Sequence, residues 1–229
     1  MMRLSGLLAV ALILGALQAF AGEPIDEEVV CPVGGEKFNI TGTTSCSKQG
    51  VTMSLRRETT CDFVTRLPVC PSNGLPIYRE FSPDEVKSLE AFVQTEAYAA
   101  LGSKSPYLRA YAIEDHLAGT GTATTFNIML RAVWYDGEVV RADPDGMALF
   151  LKEAEGEKLR ASPGDKPFLL ALTAYQLAAG GRNDEARTWL EEARTGSEAS
   201  GFLKSYVDAV GKCIGQMTSD ECSEWATFQ

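Results

Sequence analysis

A single histidine, His116, stands in the whole chain of 229 residues. That excludes any metal site or proton relay built from several imidazoles. Basic residues are also scarce, since 21 Lys and Arg face 31 Asp and Glu and give a formal charge of −10. Such a chain lacks the basic footprint with which nucleic-acid binders neutralise phosphates, and it has little to offer an anionic lipid surface. No Cys-x-x-Cys occurs, so a thioredoxin-type oxidoreductase is unsupported. Gly119-Thr120-Gly121 has neither the preceding strand nor the lysine of a phosphate-binding loop. Beyond Phe20 no apolar run reaches the roughly 20 residues that a bilayer-spanning helix needs.

The N-terminal residues read as a processing segment. Arg3 precedes the nearly unbroken apolar stretch from Leu4 to Leu17, and Ala19-Phe20-Ala21 supplies a small–x–small cleavage pattern. A signal peptide over residues 1–21 is expected, with a mature chain from Gly22 that does not insert in the membrane. The destination is periplasmic or secreted, the expected partner another envelope protein, and nucleic acid is not expected. Six cysteines in an exported chain point to disulfides before free thiols.

Past the leader, Glu23 to Val30 is acidic and without periodicity, and reads as an extended arm. Lys37-Phe38-Asn39-Ile40-Thr41, Val51-Thr52-Met53-Ser54-Leu55 and Phe63-Val64-Thr65-Arg66-Leu67 alternate as half-buried strands do. They make a β module of a size that usually needs covalent staples. The character then changes. Ser82-Pro83-Asp84-Glu85 is a helix start with a capping box, and Val86, Leu89, Phe92 and Val93 follow at helical spacing. Further helices are predicted from Pro106, over 124–135, from Asp143-Pro144, from Asp165 to Ala179 with a stop at Gly180-Gly181, from Asn183, and over 202–214. Ala174, Leu177, Gly181, Ala186, Leu190 and Ala193 fall where a tetratricopeptide helix–turn–helix places its packing residues, so the C-terminal part reads as a tetratricopeptide-like array.

Two Cys-Pro turns frame the β module. Cys31-Pro-Val-Gly-Gly-Glu-Lys-Phe, Leu67-Pro-Val-Cys-Pro-Ser-Asn-Gly and the Tyr78…Phe81-Ser82-Pro83 helix entry resemble a bacterial family of unknown function. Its members pair two Cys-Pro-x-Cys-Gly knuckles with a tetratricopeptide-like helical domain, so the resemblance implies an architecture and no activity. Here each knuckle has lost its second cysteine, to Gly34 and to Asn73. Glycine offers no ligand atom and an amide suits zinc poorly. A set of Cys31, Cys46, Cys61 and Cys70 would lack short chelating spacing and would meet an oxidant on export, so disulfides are expected rather than a metal. If the turns face each other as that family's knuckles do, Cys31 bonds Cys70 and leaves Cys46 for Cys61. A plain three-strand meander would instead bring Cys61 towards Cys31 and Cys70 towards Cys46. Cys213 and Cys222 are close enough in sequence for a local bridge holding Trp225 and Phe228 to the array.

The remaining polar motifs read as structural. His116, in Glu114-Asp115-His116, suits a helix C-terminus, where the dipole favours a cation. Asp143-Pro144-Asp145-Gly146 reads as a helix start rather than a calcium loop, Asn39-Ile40-Thr41 is a bare glycosylation triplet, and Glu191-Glu192 suits a solvated face. The expected fold class is α+β, mostly α: a zinc-ribbon-like β module over 22–80 followed by a tetratricopeptide-like helical domain over 81–229. No catalytic residue, metal ligand or cofactor is assigned. The expected function is non-enzymatic protein binding through the array, and the alternative is a metal-binding protein or hydrolytic enzyme using the Cys-Pro module.

Overall fold

Val30 and Lys37 are the innermost pair of a hairpin that begins where an unpaired arm was expected. In the computed structural model, which describes residues 22–195 and 201–228, β1 (Pro24–Val30) runs antiparallel to β2 (Lys37–Thr43) in continuous register. The signal-peptide reading of 1–21 lies outside the described residues. Asp26-Glu27-Glu28 hides the strand pattern of β1, whose inward positions are Ile25 and Val29. Glu28 instead supports the pairing through Lys37, at 2.7 Å.

A second sheet has the order β4-β3-β5, formed by β3 (Lys48–Thr52), β4 (Arg57–Thr59) and β5 (Thr227–Phe228). The strand expected over 51–55 therefore ends early. Leu55 takes a left-handed turn, φ 57°, and its N–H donates back to the Thr52 carbonyl at 2.8 Å. The strand expected over 63–67 does not form. The chain turns at Cys61, where Val64 N–H donates to the Cys61 carbonyl, and Thr65 is pegged to Thr41 of β2 by its amide at 2.9 Å and its hydroxyl at 3.1 Å. Five alternating residues look alike whether they pair along a sheet or touch it at one point.

The helices follow their local signals. α1 (Pro83–Phe92) starts at the capping box of Ser82 and Glu85 and buries Leu89. α3 (Pro106–Ala118), α4 (Ala123–Tyr135), α6 (Gly146–Arg160), α7 (Lys166–Ala179), α8 (Asn183–Arg194) and α9 (Gly201–Cys213) match the other expected segments within a few residues. Two short helices are additional, α2 (Glu96–Ala99), capped by Thr95, and α5 (Gly137–Ala142). Asp143 does not start α6 directly; its carboxylate takes the Asp145 N–H at 3.0 Å and Lys104 at 2.5 Å, and helix begins at Gly146.

α7 lies at the centre, buried from Leu169 to Ala178. Each large apolar side chain so enclosed contributes about 1.5–3 kcal/mol. α8 returns along α7 after Gly181, whose φ of 77° lets Arg182 N–H reach the Leu177 carbonyl in a Schellman-type close. Ala174, Leu177, Ala186, Leu190 and Ala193 are all buried between or beside these helices. The principal apolar cluster runs from α3 to α9 and takes in Met53 from the turn after β3. A second joins Cys31, Val33, Cys70 and Leu75 to Leu89 of α1, Tyr98 of α2 and Ile113 of α3. Neither sheet nor helices keep a core to themselves, and both clusters cross residue 80.

Candidate functional site

The two Cys-Pro turns have the same backbone plan. Cys31 N–H donates to the Glu36 carbonyl at 2.8 Å and Gly35 N–H to the Cys31 carbonyl at 3.2 Å; Cys70 and Leu75, then Gly74 and Cys70, repeat both bonds at 2.9 Å. Gly35 and Gly74 occupy equivalent left-handed positions, φ 67° and 70°. The hairpin pair Val30 and Lys37 is likewise matched by a bridge between Val69 and Pro76. The turns face one another. Cys31 is bonded to Cys70 with Cα atoms 5.6 Å apart, Asn73 donates its amide to the Val33 carbonyl at 3.1 Å, and Ser72 N–H reaches Glu36 at 2.9 Å. Cys46 is bonded to Cys61, and Cys213 to Cys222. Three disulfides place the folded chain in an oxidising, extracytoplasmic environment. Among the described residues, no three His, Cys, Asp or Glu side chains converge as metal ligands.

Behind the second turn, Arg79 ties the sheet region to the helices. Its Nε and Nη2 donate to one oxygen of the buried Glu114, at 3.1 and 2.9 Å, and Tyr78 hydroxyl donates to that same oxygen at 2.6 Å. Arg79 also grips Glu85, with Nη2 2.7 Å from one oxygen and Nη1 3.1 Å from the other. Arg79 and the Ser82 amide hold the Glu85 carboxyl at about 2, against an ordinary 4.5. Burial, then Glu114, pushes the Tyr78 phenol well up, so it remains a donor. Every Arg79 nitrogen has a partner, so this cluster is a junction rather than a reactive centre.

The other polar motifs are absorbed in a similar way. His116 lies in the last turn of α3, its ring stacked on Phe92 at 4.1 Å between centroids and its Nε2 3.0 Å from Ser88 Oγ. Gly121 donates to both oxygens of Glu153, at 3.2 and 3.1 Å. Glu153 is fully buried and also accepts from Tyr111 and Thr125. Asn39-Ile40-Thr41 lies within β2. Glu192 takes Lys158 and Lys166, and Glu191 takes Arg194.

A groove of about 360 Å³ lies beside α4, closed at one end by the connection from α6 to α7. Phe126 and Leu130 from α4, and Leu169 and Leu172 from α7, make its floor, with Leu55 on one wall and Phe168 at the lip. Glu157 and Asp165 stand at the rim beside Arg160, which is engaged by Glu157 at 2.7 Å and by the Gly121 carbonyl at 2.5 Å. Leu55 is the unexpected member. A left-handed non-glycine residue costs about 1–2 kcal/mol and persists only where its surroundings impose it. The turn is imposed from two sides, where Trp134 Nε1–H donates to the Ser54 carbonyl at 2.8 Å and Tyr206 hydroxyl to the Met53 carbonyl at 2.9 Å, and within it the Thr52 and Ser54 hydroxyls bond at 2.8 Å. Nothing adjacent in sequence announces this, so Leu55 reads as a strand residue until the fold is known. Leu130, on the helix predicted over 124–135, is half-buried in the groove rather than enclosed. No family model, curated protein or solved structure matches the chain.

Proposed function

We propose that this chain is an exported, non-enzymatic binding protein whose helical body receives an apolar side chain of a partner protein in the cell envelope. On this reading the Cys-Pro module is a zinc-ribbon-like frame in which disulfides stand where related frames hold metal. The helices from α3 onward form the tetratricopeptide-like binding body. The observation that carries the proposal is Leu55, held at φ 57° on the wall of an open apolar groove. Backbone strain held by two tertiary hydrogen bonds is commonly kept where it serves a site. The rim supplies the chemistry of the partner. Glu157 and Arg160 pair with each other at the rim, which leaves Asp165 as its unpaired charge, and the chain is acidic overall, so the favoured occupant is a leucine- or phenylalanine-bearing segment flanked by lysine or arginine.

A labelled peptide with one phenylalanine between lysines tests this by fluorescence anisotropy. Binding should be lost in Leu130→Asp and weakened in Leu55→Asn, which keeps a residue that tolerates left-handed backbone. A peptide that binds wild type and both variants alike, or not at all, would sink the proposal.

A further inference from the structure

A second groove, of about 350 Å³, opens between α3 and α4 against the Tyr78–Arg79 segment. Its walls are Tyr78, Arg79, Tyr107, Ile128, Arg131 and, at the mouth, Thr124 with Asn127. Two arginines and no carboxylate line it. In a chain with 31 acidic and 21 basic residues that composition is against the average. Four other grooves among the described residues each carry at least one carboxylate: Glu157 and Asp165 in one, Glu80 in another, and Glu138 with Glu224 in two.

Two of its groups lack partners. Tyr107 is 5 % exposed, and its hydroxyl is buried without a hydrogen bond. A buried unpaired hydroxyl is costly, and native structures seldom keep one without a reason. Arg131, exposed at the mouth of the groove, makes no ion pair or hydrogen bond among the described residues and so keeps its charge free for a ligand, unlike Arg79, all of whose nitrogens are engaged. Arg131 lies near enough to Tyr107 for its charge to act on the phenol, while burial, with Tyr135 next, keeps that phenol protonated. Asp136, outside the groove, also acts on the phenol, so a cation and the residue of a neutral O–H donor line one groove while the nearest carboxylate stands behind the ring. Thr124, Asn127, Ile128 and Arg131 recur at three- and four-residue spacing, which puts them on one stripe of α4. The first turn of α4 brings the positive end of the helix dipole to the same side. The rest of the wall is the ring of Tyr78, the ring of Tyr107 and the buried Ile128, surfaces for an apolar body rather than a hydrated ion.

We infer that this groove binds a small organic carboxylate with an aromatic or branched aliphatic body, its carboxylate held by Arg131 and the Tyr107 hydroxyl. A cavity of this volume lies at the lower end of the range for small-molecule sites. The site is separate from the groove walled by Leu55, and the inference does not rest on the proposed protein binding.

Benzoate is a suitable probe, titrated calorimetrically into the disulfide-intact chain at neutral pH and low salt. One equivalent should bind at sub-millimolar to millimolar concentration. Arg131→Met and Tyr107→Phe should each weaken binding by about tenfold, the scale of one charge-assisted hydrogen bond. Tyr107→Phe removes only an orphan hydroxyl, so its melting temperature should be unchanged or higher, which separates loss of the ligand from loss of the fold. Benzyl alcohol should not compete. The inference fails if benzoate does not bind at millimolar concentration, if both variants bind it as wild type does, or if inorganic phosphate binds as tightly.

Discussion

Asn73 and Val33 are joined across the Cys31–Cys70 bridge by a 3.1 Å hydrogen bond from side-chain amide to main-chain carbonyl. The same Asn73 accepts the Leu75 N–H at 2.9 Å, so one side chain both shapes its own turn and fastens it to the opposite one. Asn73→Ala should therefore lower stability by about 1–2 kcal/mol, read from urea unfolding, with the disulfides still formed. Gly34, at the equivalent place in the first turn, has φ 90° and open space where a Cβ would be, so Gly34→Ala is opposed by backbone conformation rather than by crowding.

The disulfides enclose loops of unequal length, with sequence separations of 39, 15 and 9. Loop-closure entropy assigns about 2–4 kcal/mol to such bridges, with the longest loop gaining most. Paired Cys→Ala replacements should depress the melting temperature most for Cys31 with Cys70 and least for Cys213 with Cys222. Alkylation of the folded chain before reduction should find no reactive thiol.

Acid should attack the Arg79 junction. Glu85 in the folded chain sits at about 2 and in an unfolded chain near 4.5. Its stabilising effect is complete above the higher value and is lost as pH falls from there towards 2. Glu85 is partly exposed, so solvent screens the pair and the loss is modest. Unfolding midpoints recorded between pH 5 and 2 should fall less steeply in Glu85→Gln than in wild type.

Glu153 accepts from Tyr111, Gly121 and Thr125 and is fully buried. In Glu153→Gln the amide would turn a donor towards other donors, and the cost should be about 2–3 kcal/mol by chemical denaturation. Adding Tyr111→Phe removes one of those donors and should recover part of the loss, a coupling that a double-mutant cycle would read directly.

Local signals in the sequence were faithful where the physics is local. Ser82-Pro83-Asp84-Glu85 contains its own cap, and α1 starts where it says. Gly181 ends α7 because the chain there needs a left-handed residue, whatever surrounds it. β1 was obscured because Asp26, Glu27 and Glu28 face solvent on a strand whose inward positions number only two. Neither groove was legible. Leu55 takes its turn from Trp134 and Tyr206, which bond the backbone beside it from 80 and 153 positions away. The orphan state of Tyr107 is a property of what surrounds it in space, and no spacing of residues encodes that.

The strand Thr227–Phe228 closes the free edge of β3, and Thr227 Oγ1 also bonds Glu58 of β4, 169 positions earlier. A chain that emerges N-terminal end first, from a ribosome or a translocation channel, therefore shows β3 with the edge away from β4 bare for nearly the whole of its emergence. An uncovered edge is a template for pairing with another copy, and contacts so distant in sequence are slow to form. The interval before the tail arrives is thus the time when a holding chaperone would matter most. A chain cut short before Thr227 would carry that vulnerability permanently.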